Sequence, residues 1–177
     1  LVAHGDDEDT YMVGKLAAFQ VQNLIVAYKE RFDKDSFIKN LLLDNLLLVD
    51  IYNRAKKLHI DADVRRVVMI MELQQEKDHN AMEAVKSFFG GKTKDFITAV
   101  DERSIIIVKQ LEDGEGYSDM DKLARAILDT LGFGLENGTH IAYGTIVCEL
   151  KEVSRSYKEA RMALDVGKIF FGDRDVI

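Results

Sequence analysis

The sequence has few of the residues that usually mark the ends of elements or cross-link a fold. It contains no proline, although average usage of about 5% would predict several, so Gly, Asp and Asn have to terminate its helices and strands. Its one cysteine, Cys148, cannot form a disulfide within the chain, and the low count fits a reducing cytosol. No apolar run approaches the roughly 20 residues that a membrane-spanning helix needs. These absences predict a cytoplasmic protein with no membrane association.

Other missing features exclude several kinds of site. The net charge of −7 disfavours contact with nucleic-acid phosphates. The histidines are too widely spaced for a zinc site, and Cys148, which has no neighbouring histidine or basic cluster, is predicted to be a buried small hydrophobe. The basic pairs Lys56-Lys57 and Arg65-Arg66 are typical of a solvated surface. The chain begins with Leu1 and has no signal-peptide pattern, so we expect a fragment of a longer protein.

The most informative segment is Asp95–Leu111. It contains an almost unbroken apolar run, Ile105–Val108, which is typical of a strand buried on both faces of a sheet. The run follows a shorter apolar segment, Phe96–Val100, and a tight turn is predicted at Asp101-Glu102. Arg66–Leu73 predicts a second strand of the same buried kind. The chain therefore has the material for a sheet that helices cover.

The order of elements predicts an α+β fold. Helices are expected over 76–89, 120–131 with Ser118 or Asp119 as the N-cap, and 149–164. A strand is expected over 140–147, and a last one begins at Asp173. The order β-α-β-β-α-β is that of a ferredoxin-like antiparallel sheet, in which right-handed crossovers place both crossover helices on one face.

The N-terminal residues predict a separate helix over Thr10–Phe32. One apolar stripe has the spacing of a coiled coil with Asn at an a position, a device that fixes register in paired helices; its residues are Met12, Leu16, Phe19, Asn23 and Val26. A second stripe runs beside it: Val13, Ala17, Val21, Leu24 and Tyr28. Both a homodimer of these helices and packing on the chain's own domain would cover the stripes.

Three regions follow from this pattern. Residues 1–32 are predicted to form a long signalling or dimerisation helix. Residues 33–63 form a helical lead-in, with Asp33–Ser36 capping a new helix, a break at Asp44-Asn45 and a linker at His59–Asp63. Residues 64–177 form the sheet domain.

Four segments carry a resemblance to a known family. They are Phe37–Asp44 with Asp50–Ile60, Arg65–Leu73, Phe96–Lys109 and Ser156–Leu164. Together they resemble the central part of the carbohydrate diacid regulators, the CdaR/PucR-type bacterial transcription factors. The last segment is the most specific, because Ser156, Tyr157, Glu159 and Ala160 are similar to a Ser-Tyr-x-Glu-Ala element of that family's final helix.

The resemblance implies a GGDEF-like domain, a relative of diguanylate cyclases that makes no cyclic dinucleotide. It also implies an upstream domain that binds a sugar acid or similar effector and a downstream helix-turn-helix domain that binds DNA; the expected homodimer rests on the helix stripe. Both of these domains lie outside this chain. The expected role is therefore signal relay. A domain that binds a small ligand itself is the alternative, with a residual nucleotide cyclase as a third possibility.

The hairpin is where the sequence departs from a working cyclase. Such an enzyme needs acidic metal ligands at the end of the first strand and in a hairpin whose glycines admit the nucleotide. Glu72 stands at the first place and Asp101-Glu102 at the second. Side chains replace the glycines at Ala99 and Val100, and Arg103 replaces an aromatic residue. We predict no catalytic residue, no cofactor and no metal site.

Overall fold

A computed structural model describes residues 8–73, 79–90, 94–132, 138–170 and 176–177. The chain divides into two compact units, one reaching Ser36 and the other running from Phe37 to Ile177. The predicted boundaries at residues 32 and 63 stay predictions.

The described elements follow one another in the order α-α-β-α-β-β-α-β-α. The helices are α1 (Glu8–Leu42), α2 (Leu48–Lys57), α3 (His79–Phe89), α4 (Tyr117–Leu131) and α5 (Val153–Phe170), with a 3-10 turn at Leu150–Glu152. The strands are β1 (Arg66–Glu72), β2 (Phe96–Thr98), β3 (Ser104–Gln110) and β4 (His140–Tyr143).

Helix α1 continues through the place where the sequence predicted a new helix to begin. Asp33–Ser36 are helical, so the predicted N-cap there is wrong. No proline or glycine interrupts the helix at this point, and Lys34 Nζ lies 2.9 Å from a carboxylate oxygen of Glu30 one turn earlier. A pair at this spacing supports a helix. The chain turns instead at Asp44, which has a φ of 61°, close to the predicted break.

The strands form one four-stranded sheet in the order β2-β3-β1-β4. Every neighbouring pair is antiparallel, which confirms the α+β prediction. The two central strands are buried on both faces, as their apolar runs predicted. Val67–Met71 of β1 are all 0% exposed, and Ile105–Val108 of β3 are at most 1% exposed.

Each face of the sheet has its own hydrophobic core. Helices α3 and α4 pack on the face that carries Met69 and Ile107, so both crossover helices lie on one side, as predicted. The opposite face carries Val68 and Ile106 and is covered by α2, α5 and the end of α1 from Phe37. Because side chains alternate along a strand, a single apolar run supplies both cores.

Several element ends differ from the predictions. Helix α4 is capped by Gly116, whose backbone N–H donates to Asp119 Oδ2 at 3.0 Å, so Ser118 and Asp119 are not the N-cap. Strand β4 ends at Tyr143, and only an isolated bridge joins Val147 to Arg66. Helix α5 begins at Val153 and not at Glu149, because the 3-10 turn occupies the preceding residues.

The last residues return to the sheet. Val176 forms a parallel bridge with Ile141, and the Ile177 N–H donates to the Ile141 carbonyl at 2.8 Å. The rest of the predicted last strand, residues 173–175, lies outside the described residues, as do residues 76–78 of the predicted helix before α3.

Candidate functional site

The candidate site lies where β1 ends beside the β2–β3 connection. The register of the central strands places Glu72 opposite Ser104. One residue further on, the Leu73 N–H donates to the Arg103 carbonyl at 2.9 Å. The sheet therefore brings the carboxylate that ends β1 and the acidic segment Asp101-Glu102 to one edge, as a cyclase-type site would require.

The connection is a wider loop than the tight turn that the sequence predicted. The whole segment Ala99–Arg103 lies outside the strands. Within it, Asp101 Oδ1 accepts hydrogen bonds from the backbone N–H of Arg103 at 2.9 Å and of Ser104 at 2.7 Å. An aspartate that binds its own backbone in this way stabilises a turn without a glycine. Turn formation thus occupies one carboxylate oxygen of Asp101.

The environment of Asp101 holds it in the charged form. Burial by itself raises the pKa of the carboxyl, but the backbone donors at Arg103 and Ser104, the Ser104 hydroxyl and the Arg161 charge outweigh that effect. The net result is a pKa below the usual value for aspartate. Backbone donors and Arg161 therefore stabilise this carboxylate, although its side chain is 41% exposed.

Helix α5 places a cation on each of the two carboxylates. Arg161 Nη1 lies 3.5 Å from Asp101 Oδ2 and 3.3 Å from the Ser104 hydroxyl oxygen. Lys168 forms an ion pair with Glu72, whose side chain is 19% exposed. Arg161 and Lys168 are seven residues apart, about two turns, so they project from the same side of α5.

The hairpin carries side chains at the two positions where a working cyclase would have glycines. Val100 is half-buried and packs against the core on the α5 face of the sheet, and Ala99 is half-buried beside it. Glu102 and Arg103 are exposed. No group of three or more His, Cys, Asp or Glu side chains suited to a metal ion occurs among the described residues. The two carboxylates that lie beside α5 are paired with protein cations, whereas Glu102 lies outside these pairs.

The helix segment on which the predicted resemblance depends most packs against the end of β4. Ser156 is 0% exposed, and its hydroxyl oxygen accepts a hydrogen bond from the Val68 N–H at 3.0 Å. Ala160 is also fully buried. Glu159 Oε2 accepts a hydrogen bond from the Thr145 N–H at 3.1 Å. Tyr157 is half-buried against the same core, and burial raises the pKa of its hydroxyl.

The contact between α5 and β4 is also sterically tight. A Cβ atom on Gly144 would lie 2.0 Å from the Ser156 carbonyl oxygen, so only glycine fits there. The Val68 N–H faces β4 just beyond the residues that pair with β1, and the serine hydroxyl supplies its acceptor. These contacts attach α5 firmly to the sheet.

The predicted interface stripe lies on the first unit and is exposed. Met12, Leu16, Phe19 and Val26 are each 59–64% exposed, and Asn23 is exposed as well. Val13, Leu24 and Tyr28 of the second stripe are exposed too. The structure holds one copy of the chain, so the pairing of these helices stays a prediction.

Two predictions about single residues are wrong. Cys148 is exposed and not buried, because Val147 points inward from its bridge with Arg66 and the next side chain points outward. Arg66 is 1% exposed and not solvated, because it occupies the first position of the central strand β1. Its neighbour Arg65 is half-buried, with Nη2 donating to the Glu115 carbonyl at 2.8 Å.

Sequence reasoning missed the cations of the site. Arg161 and Lys168 have a spacing that could have shown them to share a helix face. Their partners Asp101 and Glu72 are 60 and 96 residues away in the chain, and only the three-dimensional fold brings them together.

Comparison with known protein families identifies the domain. The family model for the GGDEF-like domain matches residues 45–166, which is more than half of the chain. The chain belongs to the GGDEF-like domain family. The matched part of this GGDEF-like domain begins before α2 and ends within α5, so it contains the whole sheet and Arg161 but not the helix stripe. No curated protein matches the chain. Among the described residues, no helix has the length and apolarity needed to cross a membrane.

Proposed function

We propose that this chain is the non-catalytic relay and dimerisation region of a CdaR/PucR-type transcriptional regulator. In this proposal a sensor domain outside the chain binds a sugar acid or similar metabolite. The helix stripe and the GGDEF-like domain pass the signal to a helix-turn-helix domain, also outside the chain, which binds DNA in the cytoplasm.

The observation that carries the proposal is the pairing of Glu72 and Asp101, two of the three candidate metal carboxylates, with cations of α5. A magnesium site uses one or two carboxylates together with substrate phosphates. Here Glu72 is paired with Lys168, and Asp101 is shared between its own backbone and Arg161. A metal would have to displace these partners. The pairing favours a domain that keeps the cyclase shape without its chemistry.

The strand arrangement supports the finer fold assignment. We assign the domain to the ferredoxin-like fold because the element order β-α-β-β-α-β is combined with the antiparallel order β2-β3-β1-β4. The predicted relay needs an element with two states that a ligand stabilises unequally. The exposed helix stripe is our candidate for that element, with a second copy of the chain as its partner.

The first experiment tests the absence of catalysis. The purified chain is incubated with GTP and Mg²⁺ or Mn²⁺, and nucleotides are separated by chromatography, with an active diguanylate cyclase as the positive control. We expect no conversion of GTP to pyrophosphate and cyclic dinucleotide. Metal-dependent turnover that is lost in a Glu72→Gln variant would contradict the proposal.

A second experiment tests the relay in the parent protein. Phe19→Asp places a charge within the stripe, whereas Gln22→Asp places one outside it. We expect Phe19→Asp to abolish the effector-dependent change in DNA binding while effector binding itself persists, and Gln22→Asp to leave both unchanged. An unaltered response in Phe19→Asp would rule out the stripe as the relay element.

A further inference from the structure

Val176 and Ile177, here called the C-terminal pair, are anchored at the edge of β4. Val176 forms a parallel bridge with Ile141, and the Ile177 N–H donates to the Ile141 carbonyl at 2.8 Å. Val176 is buried in the core under α3 and α4, whereas Ile177 packs against the core on the α5 face. Because side chains alternate along a strand, the C-terminal pair is held on both faces of the sheet.

Helix α5 meets the C-terminal pair at Gly167. A Cβ atom at this glycine would lie 2.2 Å from Ile177 Cγ2 and 2.6 Å from Ile177 Cδ1. The isoleucine side chain therefore occupies the space that the missing Cβ leaves and lies directly on the helix backbone. The φ of Gly167 is not positive, so the close approach of Ile177, and not a turn, accounts for glycine at this position.

The last turns of α5 have little else to hold them. Within this helix, which is described throughout, Gly167 is the only buried residue between Leu164 and the end at Phe170. A glycine inside a helix favours fraying, because it gains more conformational freedom than any other residue when the helix unwinds. The packing of Ile177 on Gly167 is therefore the contact that stabilises this end of α5.

The same end of the helix carries one cation of the candidate site. Lys168, the residue after Gly167, is paired with Glu72. Glu72 pairs across the sheet with His140, which precedes Ile141, the residue that holds the C-terminal pair. The C-terminal pair therefore contacts both α5, which carries the lysine, and β4, the strand beside the carboxylate.

The other ion pair of the site has a separate attachment. Arg161, which pairs with Asp101, lies between the fully buried residues Ala160 and Leu164. Ser156 also ties this half of α5 to β1 through its hydrogen bond with the Val68 N–H. The contact of Arg161 with Asp101 should therefore persist without the C-terminal pair.

We propose that Ile177 is a positioning residue that holds Lys168 on Glu72 through the end of α5. While Ile177 packs on Gly167, the last turns of the helix stay in place and the carboxylate keeps its cation. When the C-terminal pair leaves the edge of β4, these turns fray and Glu72 loses its partner. This inference goes beyond the relay proposal and holds whether or not the parent protein is a regulator.

NMR spectroscopy of the purified chain tests this role through the side-chain carboxyl carbons of Glu72 and Asp101. Ile177→Ala removes the two atoms that lie on Gly167, and Lys168→Met gives the Glu72 signal in the absence of its cation. We expect Ile177→Ala to move the Glu72 signal most of the way to its position in Lys168→Met and to leave the Asp101 signal unchanged. The backbone amide of Lys168 should also exchange at least about tenfold faster in Ile177→Ala.

Two further variants separate this role from a general effect on stability. Ile169→Ala is the matched control, because it makes the same deletion at a side chain that is 76% exposed on the same end of α5; it should behave as wild type. Ile177→Val keeps Cγ2, the atom closest to Gly167, and should retain the wild-type Glu72 signal. An unchanged Glu72 signal in Ile177→Ala would overturn the proposal. Equal displacement of the Asp101 signal would overturn it too, because the whole domain would then have loosened.

Discussion

Two apolar segments of this chain have opposite surroundings. Ile105–Val108 of β3 are at most 1% exposed, whereas Leu16, Leu24 and Ile25 of α1 are 61–69% exposed. The strand is buried because its two faces meet helices of the same chain. The first unit presents its large side chains to solvent. Similar composition therefore yields a core in one region and, by our proposal, an intermolecular surface in the other.

The largest expected effect comes from the same deletion made in both regions. Ile106→Ala removes methylene groups from a fully buried position and should lower the free energy of unfolding by about 2–5 kcal/mol. Ile25→Ala makes the same change on α1 and should cost less than about 0.5 kcal/mol. Urea unfolding at low protein concentration, where self-association is minimal, measures both. Equal losses would show that the two regions do not differ in burial.

The attachment of α5 to the sheet offers a second comparison. Gly144→Ala would place a Cβ against the Ser156 carbonyl, and we expect a loss of roughly 3 kcal/mol because backbone has to move. Gly116→Ala is the matched control, since nothing lies within 4 Å of a Cβ at that glycine; because Gly116 caps α4 and alanine is a poor N-cap, we expect a smaller loss of about 1 kcal/mol. Thermal unfolding of the two variants gives the difference. A stable Gly144→Ala variant would mean that α5 sits further from β4 than described.

The exposed helix can be tested through its polar position. Asn23→Leu places a large apolar side chain in the predicted seam, where asparagine fixes register at a cost in stability. We expect tighter self-association or a change in oligomer number in sedimentation experiments. Gln22→Leu adds the same side chain outside the stripe and should behave as wild type. If the wild type and both variants are monomers, pairing of these helices cannot be the relay mechanism.

The smallest expected effect concerns acid stability at the hairpin. The pKa of Asp101 is lower in the folded state than its usual value, so its charged form favours folding. That contribution is present above about pH 4 and is lost as pH falls through the folded-state pKa. Asp101→Asn should therefore reduce the loss of stability in acid, by less than about 1 kcal/mol because the group is partly exposed. Unfolding free energies across pH 2–6 measure this change.

Asp95, just before β2, provides a control of opposite sign. Burial raises the pKa of this carboxyl, although the Gln110 N–H and Lys109 lower it in part. Its protonated form is favoured in the folded state, so falling pH adds stability at this group. Asp95→Asn should remove that gain and steepen the net acid loss. Identical pH profiles for the two variants would contradict the opposite environments of these carboxyls.

The sheet was predictable from the sequence because its signals are local. The apolar runs in Arg66–Leu73 and Ile105–Val108 predicted strands buried on both faces, and the order of elements indicated which helices share a face. A turn at Asp101 was also predictable from the residue type, although the loop is wider than predicted. Each of these features depends on neighbouring residues or on general rules of chain connection.

The remaining features depend on partners far away in the chain. Asp33–Ser36 have the composition of a helix start. They lie inside α1 because the helix continues through them to Phe37–Leu42, which belong to the core, and this continuation overrides the local preference. Arg66 looks like a surface residue and is buried because β1 is central in the sheet. The ion pairs of α5 could not be predicted, since side-chain pairing follows from a fold that has to be known first.

The hydrogen bond between Ser156 and Val68 limits how the molecule can move. A helix that satisfies the main chain of a central strand cannot swivel or slide without leaving a buried amide unpaired, so α5 and the sheet are expected to travel as one rigid block. Arg161 and Lys168 are carried on that block. Their contacts with Asp101 and Glu72 would then persist when the helices upstream rearrange.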